Sequence, residues 1–226
     1  MRTMDAGSGN GKLTNKVLAG LFEAAPARNH GKGELLIYQG DRIENFFYIK
    51  SGFVRAYTIT DAGDERSLLI LAPGDIFPLL KDPLRSDKSS LYFYETLDES
   101  TIKSIRQDDL LSKIRHGREA SWEMFRYISD LNGSLSDRIV LLESKSAEDK
   151  ISQLLEYLIP ICGKQLEPSK YKLRLKLTHQ DIANLVAHTR ETASLSIKKM
   201  EDQGLISYQR GYIIVNDRTK LVSPSS

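Results

Sequence analysis

Between Gly33 and about Arg106 apolar residues recur at every second position, and glycines at 52, 63 and 74 cut the stretch at intervals of 11 residues. Alternation of this kind is the signature of strands buried on one face. The strands it predicts are 34–38, 45–50, 53–59, 66–71, 91–96 and 101–105, separated by the turn segments QGD, KSG, TDAGDE, APGD and LDES. Gly33, Gly40, Gly52, Gly63 and Gly74 are read as turn residues needing positive φ. Many short strands with turns at this spacing predict an antiparallel jelly roll. Residues 78–90, PLLKDPLRSDKSS, read as an irregular loop or short helix between strands, and residues 1–12 as a disordered polar tail. An amphipathic helix is expected within 13–30, from Leu13, Val17, Leu18, Leu21 and Phe22.

Beyond the roll the period becomes helical. Residues 107–116 predict a short helix and Glu119–Glu143 a longer one, whose Phe125, Ile128, Asn132, Leu135, Ile139 and Leu142 follow a 3-4 spacing. A helix of ~25 residues exceeds what one small roll covers, so the stripe Ile128, Asn132, Leu135, Ile139 and Leu142 is read as the seam of a symmetric dimer. Docking on the chain's own roll is the alternative, with Trp122 and Phe125 suited to it. Ser144-Lys145-Ser146 is the expected hinge. Ser146 caps a helix over 147–161 that Pro160 ends, and a polar loop, GKQLEPSKYK, leads to a strand over 172–177.

Leu177–Gly204, LTHQDIANLVAHTRETASLSIKKMEDQG, then reads as two capped helices joined by a tight turn. Thr178 and Thr189 are the N-caps; Ile182, Leu185 and Val186 face Ala193, Ile197 and Met200. Such a pair can lay its first helix across phosphates and present the start of its second to base edges. The residues there are Arg190, Glu191 and Ser194: arginine donates two bonds to guanine, and glutamate accepts from the cytosine amino group. Residues 205–215 form two strands around Gln209-Arg210-Gly211, a wing. The expected class is α+β: a jelly-roll domain over 13–118, a dimerisation helix and hinge over 119–145, and a winged helix-turn-helix domain over 146–226.

Net charge is only +2. Residues 1–145 carry a net −1 and residues 146–226 a net +3, so the basic excess lies with the two-helix motif. No stretch approaches the ~20 apolar residues of a membrane helix, and the N-terminus lacks an apolar signal core; a cytoplasmic protein without a membrane partner is expected. The one cysteine, Cys162, excludes an internal disulfide and supplies too few thiolates for a protein-ligated iron–sulfur cluster.

The order of roll, long helix, hinge, helix, strand, helix-turn-helix and wing resembles the Crp/Fnr family of bacterial transcription regulators. The resemblance spans about Gly33–Val215, and HQDIANLVAHTRETASLSIKKMEDQGLIS is its most specific piece. It implies a homodimer on palindromic double-stranded DNA that contacts RNA polymerase, with a roll of the cyclic-nucleotide-binding type. Arg190 and Glu191 match the family's base-reading pair, and Gln180, Thr189 and Thr192 match positions that hold phosphates. Thr178, His179, Lys198 and Arg210 are further phosphate candidates. Many members carry a second base-reading arginine where this chain has Leu195, which offers only apolar contact, for example to a thymine methyl. The operator should therefore depart from the usual family site.

The effector is less legible. Cyclic-AMP-binding members carry a glutamate where Leu79 stands here and Arg-Ser where Ser89-Ser90 stand; Arg85-Ser86 comes four residues early. Without that arginine a cyclic phosphate loses its bidentate partner, which argues against cyclic AMP. Haem would need axial ligands, and only His30 and His116 lie in plausible places. What remains is an aromatic set, Phe53, Tyr92, Tyr94, Trp122 and Phe125, with Ser89 and Ser90 nearby and Arg55 or Lys81 to pair an anion. No cofactor is predicted, and two readings stay open: a small-molecule effector other than cyclic AMP, or an effector-independent regulator. A cupin-like metalloenzyme needs converging His and Glu inside the roll, and no His-x-His pair or catalytic constellation is legible. A signalling module whose two-helix motif serves protein contacts is a more distant alternative.

Overall fold

The computed structural model describes residues 16–79, 89–144 and 146–221. A six-residue helix, α1 (Lys16–Leu21), precedes eight strands: β1 (Ala27–His30), β2 (Leu35–Ile37), β3 (Asn45–Ser51), β4 (Val54–Ile59), β5 (Glu65–Leu71), β6 (Ile76–Phe77), β7 (Phe93–Thr96) and β8 (Ser100–Arg106). They form two four-stranded antiparallel sheets, ordered β1-β8-β3-β6 and β2-β7-β4-β5. Ile37, Ile49, Val54, Leu69, Phe77, Tyr94 and Ile102 fill the space between them. This is the expected roll, and all five glycines named above have positive φ. At Gly52 glycine is required twice over: φ is 86°, and a Cβ would lie 2.6 Å from Ser100 Cα. The expected tail, Leu13, and most of the 78–90 segment fall outside the described residues.

Two strands arise where alternation gives no signal. β1, inside the stretch read as helix, is almost wholly exposed, and β6 has only two residues. β1 is held by its antiparallel register with β8, Ala27 opposite Lys103 and His30 opposite Ser100.

Helices α2 (Gln107–His116) and α3 (Arg118–Glu143) follow. α3 buries one face on the roll and on α1: Ala120 packs with Leu18 and Phe22, and Leu131 and Leu135 pack against the roll interior. Tyr127 reaches in to β6, where its hydroxyl accepts from Ile76 N and donates to Ile76 O, both at 3.0 Å. Leu135 thus faces the roll and not the outer stripe. Trp122 and Phe125 point outward, each 61% exposed and stacked at 5.7 Å. With Ile128, Ile139, Val140 and Leu142, also exposed, they leave an apolar stripe that the chain itself does not cover.

Ser146 caps α4 (Ala147–Cys162) by accepting from Asp149 N. Pro160 does not end this helix, because in the last turn its missing N–H removes a single bond while Ile159, Ile161 and Cys162 stay buried. The polar stretch read as a loop is instead a hairpin, β9 (Gly163–Glu167) with β10 (Lys170–Leu173). Its first strand is exposed and polar, so nothing alternates. Past Leu173 the alternation persists although the ladder ends, with Leu173, Leu175 and Leu177 buried between exposed Arg174 and Lys176. Then come α5 (His179–Val186), α6 (Arg190–Asp202), β11 (Ile206–Gln209) and β12 (Tyr212–Val215), completing a sheet of order β11-β12-β10-β9. One continuous cluster joins this domain to the roll: Ile151, Leu154, Leu158, Ile182, Ile197 and Val215 pack with Phe53, Ile70, Ala72 and Leu97.

Candidate nucleic-acid interface

Local chemistry sets both helix starts. Thr178 accepts from Asp181 N at 3.1 Å, and Asp181 accepts from Thr178 N at 2.8 Å, a reciprocal box that satisfies two otherwise orphan donors. Thr189 accepts from Thr192 N at 3.3 Å to start α6. Between them Ala187 adopts left-handed backbone (φ 54°, ψ 43°), and its N–H and that of His188 close on Ala183 O. The chain therefore turns within three residues. Ile182, Leu185 and Val186 of α5 meet Ala193, Ile197 and Met200 of α6, all buried.

This packing leaves one row of α6 in solvent. Arg190, Glu191, Leu195 and Lys198 are exposed, Leu195 at 71%. On a helix, positions 191, 195 and 198 share a face, so the row can enter a groove together. Other expected contacts are engaged within the fold. Ser194 is half-buried and its hydroxyl lies 2.9 Å from His179 Nδ1, so these two brace α5 against α6. Ser194 is thereby withdrawn from the base-reading row. Thr178 spends its hydroxyl on the cap, and Thr189 and Thr192 share a hydrogen bond at 3.0 Å. Gln180, itself exposed, donates to Asn184 Oδ1 at 2.8 Å.

The wing carries a feature the sequence reading passed over. Lys172 and Lys176 both lie over the Tyr212 ring, Nζ 4.6 and 5.0 Å from its centroid, beside the tight Arg210-Gly211 turn, where Arg210 has φ 53°. The alternating lysines of KYKLRLKL were the available signal. They place cations on the same domain as the recognition helix.

The effector candidates do not converge. Tyr94 is fully buried in a ring stack with Phe77, which in turn stacks on Phe47; its hydroxyl accepts from Leu79 N at 2.7 Å, and burial raises its pKa. Phe53 is buried where the roll meets the second domain. Ser90 donates to the carbonyl of Tyr92, and Ser89 sits in a bridge with Arg42. Arg55, the expected anion partner, is already bound between Glu65 (2.7 Å) and Glu95 (2.7 Å) over the Tyr57 ring. Trp122 and Phe125 belong to the outer stripe of α3, and Lys81 falls outside the described residues. His30 Nδ1 is tied to Glu34 at 2.7 Å and His116 Nδ1 to Ser112 O at 2.8 Å. Cys162 is fully buried, its thiol donating to Leu158 O and pushed up to about 12 by burial. One buried thiol does not fit a thiolate-held iron–sulfur cluster.

Residues 27–116 match the family model of the cyclic nucleotide-binding domain, and residues 151–223 that of the Crp-like helix-turn-helix domain. Electron transport regulator A of Shewanella oneidensis is 30% identical over 190 residues, covering 84% of this chain and 74% of that protein. This chain belongs to the Crp/Fnr family of transcription regulators. Regulatory protein HlyX of Actinobacillus pleuropneumoniae is 29% identical over 198 residues, covering 84% of this chain and 78% of that protein. FixK2 from Bradyrhizobium japonicum superimposes with a TM-score of 0.74 at 18% identity, over 88% of this chain and 96% of that one. The Crp/Fnr chain described here is accordingly a DNA-binding transcription regulator. Among its described residues no helix is long and apolar enough to cross a membrane.

Proposed function

We propose that this regulator acts as a homodimer on a palindromic operator, each subunit inserting the start of α6 into a major groove. The observation that carries this reading is the solvent-facing row Arg190, Glu191, Leu195 and Lys198 at a helix start whose caps are internally satisfied. Arg190 and Glu191 read a G·C pair, Leu195 makes an apolar contact, and Gln180, Thr189, Thr192, Lys198 and Arg210 hold phosphates. The outer stripe of α3 supports dimerisation, with Phe125, Ile128, Asn132 and Ile139 at its centre and Trp122 at one end. Its exposed apolar side chains gain most by pairing with a second copy. Two-fold symmetry then sets the recognition helices ~34 Å apart, one turn of DNA. Output runs through contact with RNA polymerase, and the protein works in the cytoplasm without catalysis.

Selection of operators from a random-sequence DNA pool tests the reading. The wild-type protein should enrich a palindrome, and Arg190→Ala should lose discrimination at one base pair per half-site, at a cost of roughly 1–3 kcal/mol. Retention of the same site with undiminished selectivity by Arg190→Ala overturns the register. Ile128→Asp should convert dimer to monomer in sedimentation. For control, the reading is an effector other than cyclic AMP, or none, since Leu79 and Ser89-Ser90 stand where cyclic-AMP-binding members carry glutamate and Arg-Ser. Operator affinity of metabolite-free protein against protein as isolated separates the two.

A further inference from the structure

The first helix of the motif is docked within the chain: α5 packs on β5 of the roll. Asn184, 9% exposed, donates from Nδ2 to Glu65 Oε2 at 3.1 Å and accepts from Gln180 on its other side. Glu65 in turn binds Arg55, which binds Glu95. A chain of polar contacts thus runs from Gln180, a phosphate-holding position, across the domain boundary to the sheet β2-β7-β4-β5. Next to it, Arg138 of α3 is 3% exposed and donates to Ser67 O at 3.1 Å, Leu68 O at 3.2 Å and Leu185 O at 2.5 Å. It ties the end of α5 to the same strand.

The β4–β5 turn and the helix pair line one cleft, with Asp64 and Glu65 on one wall and Gln180, Thr189 and Thr192 on the other. The cleft is lined by Asp64 and Glu65 against Arg66, a net −1 with His188 neutral. A phosphate reaching Gln180, Thr189 or Thr192 would have to enter this cleft beside those carboxylates, where like charges repel. The first helix of such a motif must also cross the backbone, and here its flank is covered.

We propose that the docking of α5 on the β4–β5 turn, through Asn184–Glu65 and Arg138–Leu185, is a self-occluded state of the regulator, and that operator DNA is bound only after α5 leaves β5. The proposal rests on the reading of Gln180, Thr189, Thr192 and Arg190 as DNA contacts. It assigns the roll a restraining role that needs no ligand: the roll acts as a competitor for the phosphate face, and whatever loosens β5 from α5 favours DNA.

The test uses the full-length protein and the operator that it selects. Glu65→Ala lies outside the DNA-contact set and should tighten operator binding at least threefold, with Asn184→Ala doing the same and the double variant no more than either, because one contact is removed in each case. Asp61→Ala takes the same charge from the same turn without touching α5, and should tighten binding less. Spin labels at Asp61→Cys and Asp202→Cys, diluted into unlabelled protein, should report a longer roll-to-helix distance when operator is added; Cys162 is buried and stays unlabelled. The proposal is overturned if the distance is unchanged by operator, or if Glu65→Ala binds no more tightly than wild type or than Asp61→Ala. Failure of the underlying reading looks different: wild type then enriches no operator, or Arg190→Ala binds as well as wild type.

Discussion

Leu195 is the sharpest probe of how this regulator chooses its site. It is 71% exposed, in the middle of the row that runs from Glu191 to Lys198. Truncating a side chain so placed leaves folding stability within about 0.5 kcal/mol. Burying a whole leucine side chain is worth roughly 1.5–3 kcal/mol; scaled by the exposed fraction, about 1–2 kcal/mol is available when the leucine is covered by a thymine methyl. Leu195→Ala should therefore weaken operator binding by roughly five- to thirtyfold per half-site, with an unchanged melting temperature. Fluorescence anisotropy on the selected operator measures the first and thermal unfolding the second. Replacing the contacted thymine by deoxyuridine removes one methyl and should cost about fourfold with wild type, from ~0.8 kcal/mol per buried carbon. It should cost nothing with Leu195→Ala, since the two changes remove one contact. Additive losses, or a melting temperature that falls with Leu195→Ala, would refute the assignment of Leu195 to the groove.

Two further predictions concern what positions this row. Tyr127→Phe leaves both Ile76 N and Ile76 O without their partner at the inner face of α3, so the protein should lose about 1–3 kcal/mol in denaturant unfolding; a loss under 0.5 kcal/mol would mean that water replaces the hydroxyl. The Cys162 thiol, pushed up to about 12 against 9.0 for the free group, keeps its proton while the unfolded chain releases its own. Stability from this group is full below pH 9 and declines as pH rises from 9 towards 12. Cys162→Ala should flatten that decline, and thiol reagents should modify the native protein no faster than it unfolds.

Much of this architecture was legible because the signals are local. Ser146, Thr178 and Thr189 announce helix starts through side chains that bond three residues ahead, and the alternating strands 45–50, 53–59 and 66–71 were visible within a few residues. β1 and β9 were not, since ARNH and GKQLE are exposed edge strands defined by a neighbour and not by a buried face. Leu135 was misplaced for a related reason: a 3-4 stripe does not say which of its edges meets the roll and which meets solvent. The recognition row was readable from its spacing, whereas the withdrawal of Ser194 depends on His179, fifteen residues away, and no periodicity carries that contact. Arg138 and Asn184 read as ordinary polar positions on helices. Their burial comes from the packing of one domain on another.

That packing has a particular weak point. In β5 the register with β4 shifts, Ala56 facing Leu69 and Tyr57 facing Ser67, so Leu68 is the extra residue of a bulge. The bulge frees a carbonyl that Arg138 takes, and the last turn of α5 offers Leu185 O, one of the carbonyls a helix end leaves without a backbone partner. Arg138 satisfies both, yet among the described residues no carboxylate pairs with it and Nη1 finds no hydrogen-bond partner, and desolvation lowers its pKa. Burying a guanidinium this way costs several kcal/mol, partly offset by the carbonyl bonds and the Tyr157 ring beneath it. Opening the joint rehydrates the cation and recovers that cost, but gives up its bond to Leu185 O and the Asn184–Glu65 bond. The apolar cluster shared by Phe53, Ile70 and Leu97 with Ile151 and Leu154 opposes separation. The two domains are thus held by hydrophobic burial together with the Asn184–Glu65 and Arg138 carbonyl bonds, while desolvation of the Arg138 charge takes back part of that energy, and a balance of that kind lets a modest differential binding energy, from DNA or from a ligand, shift the population.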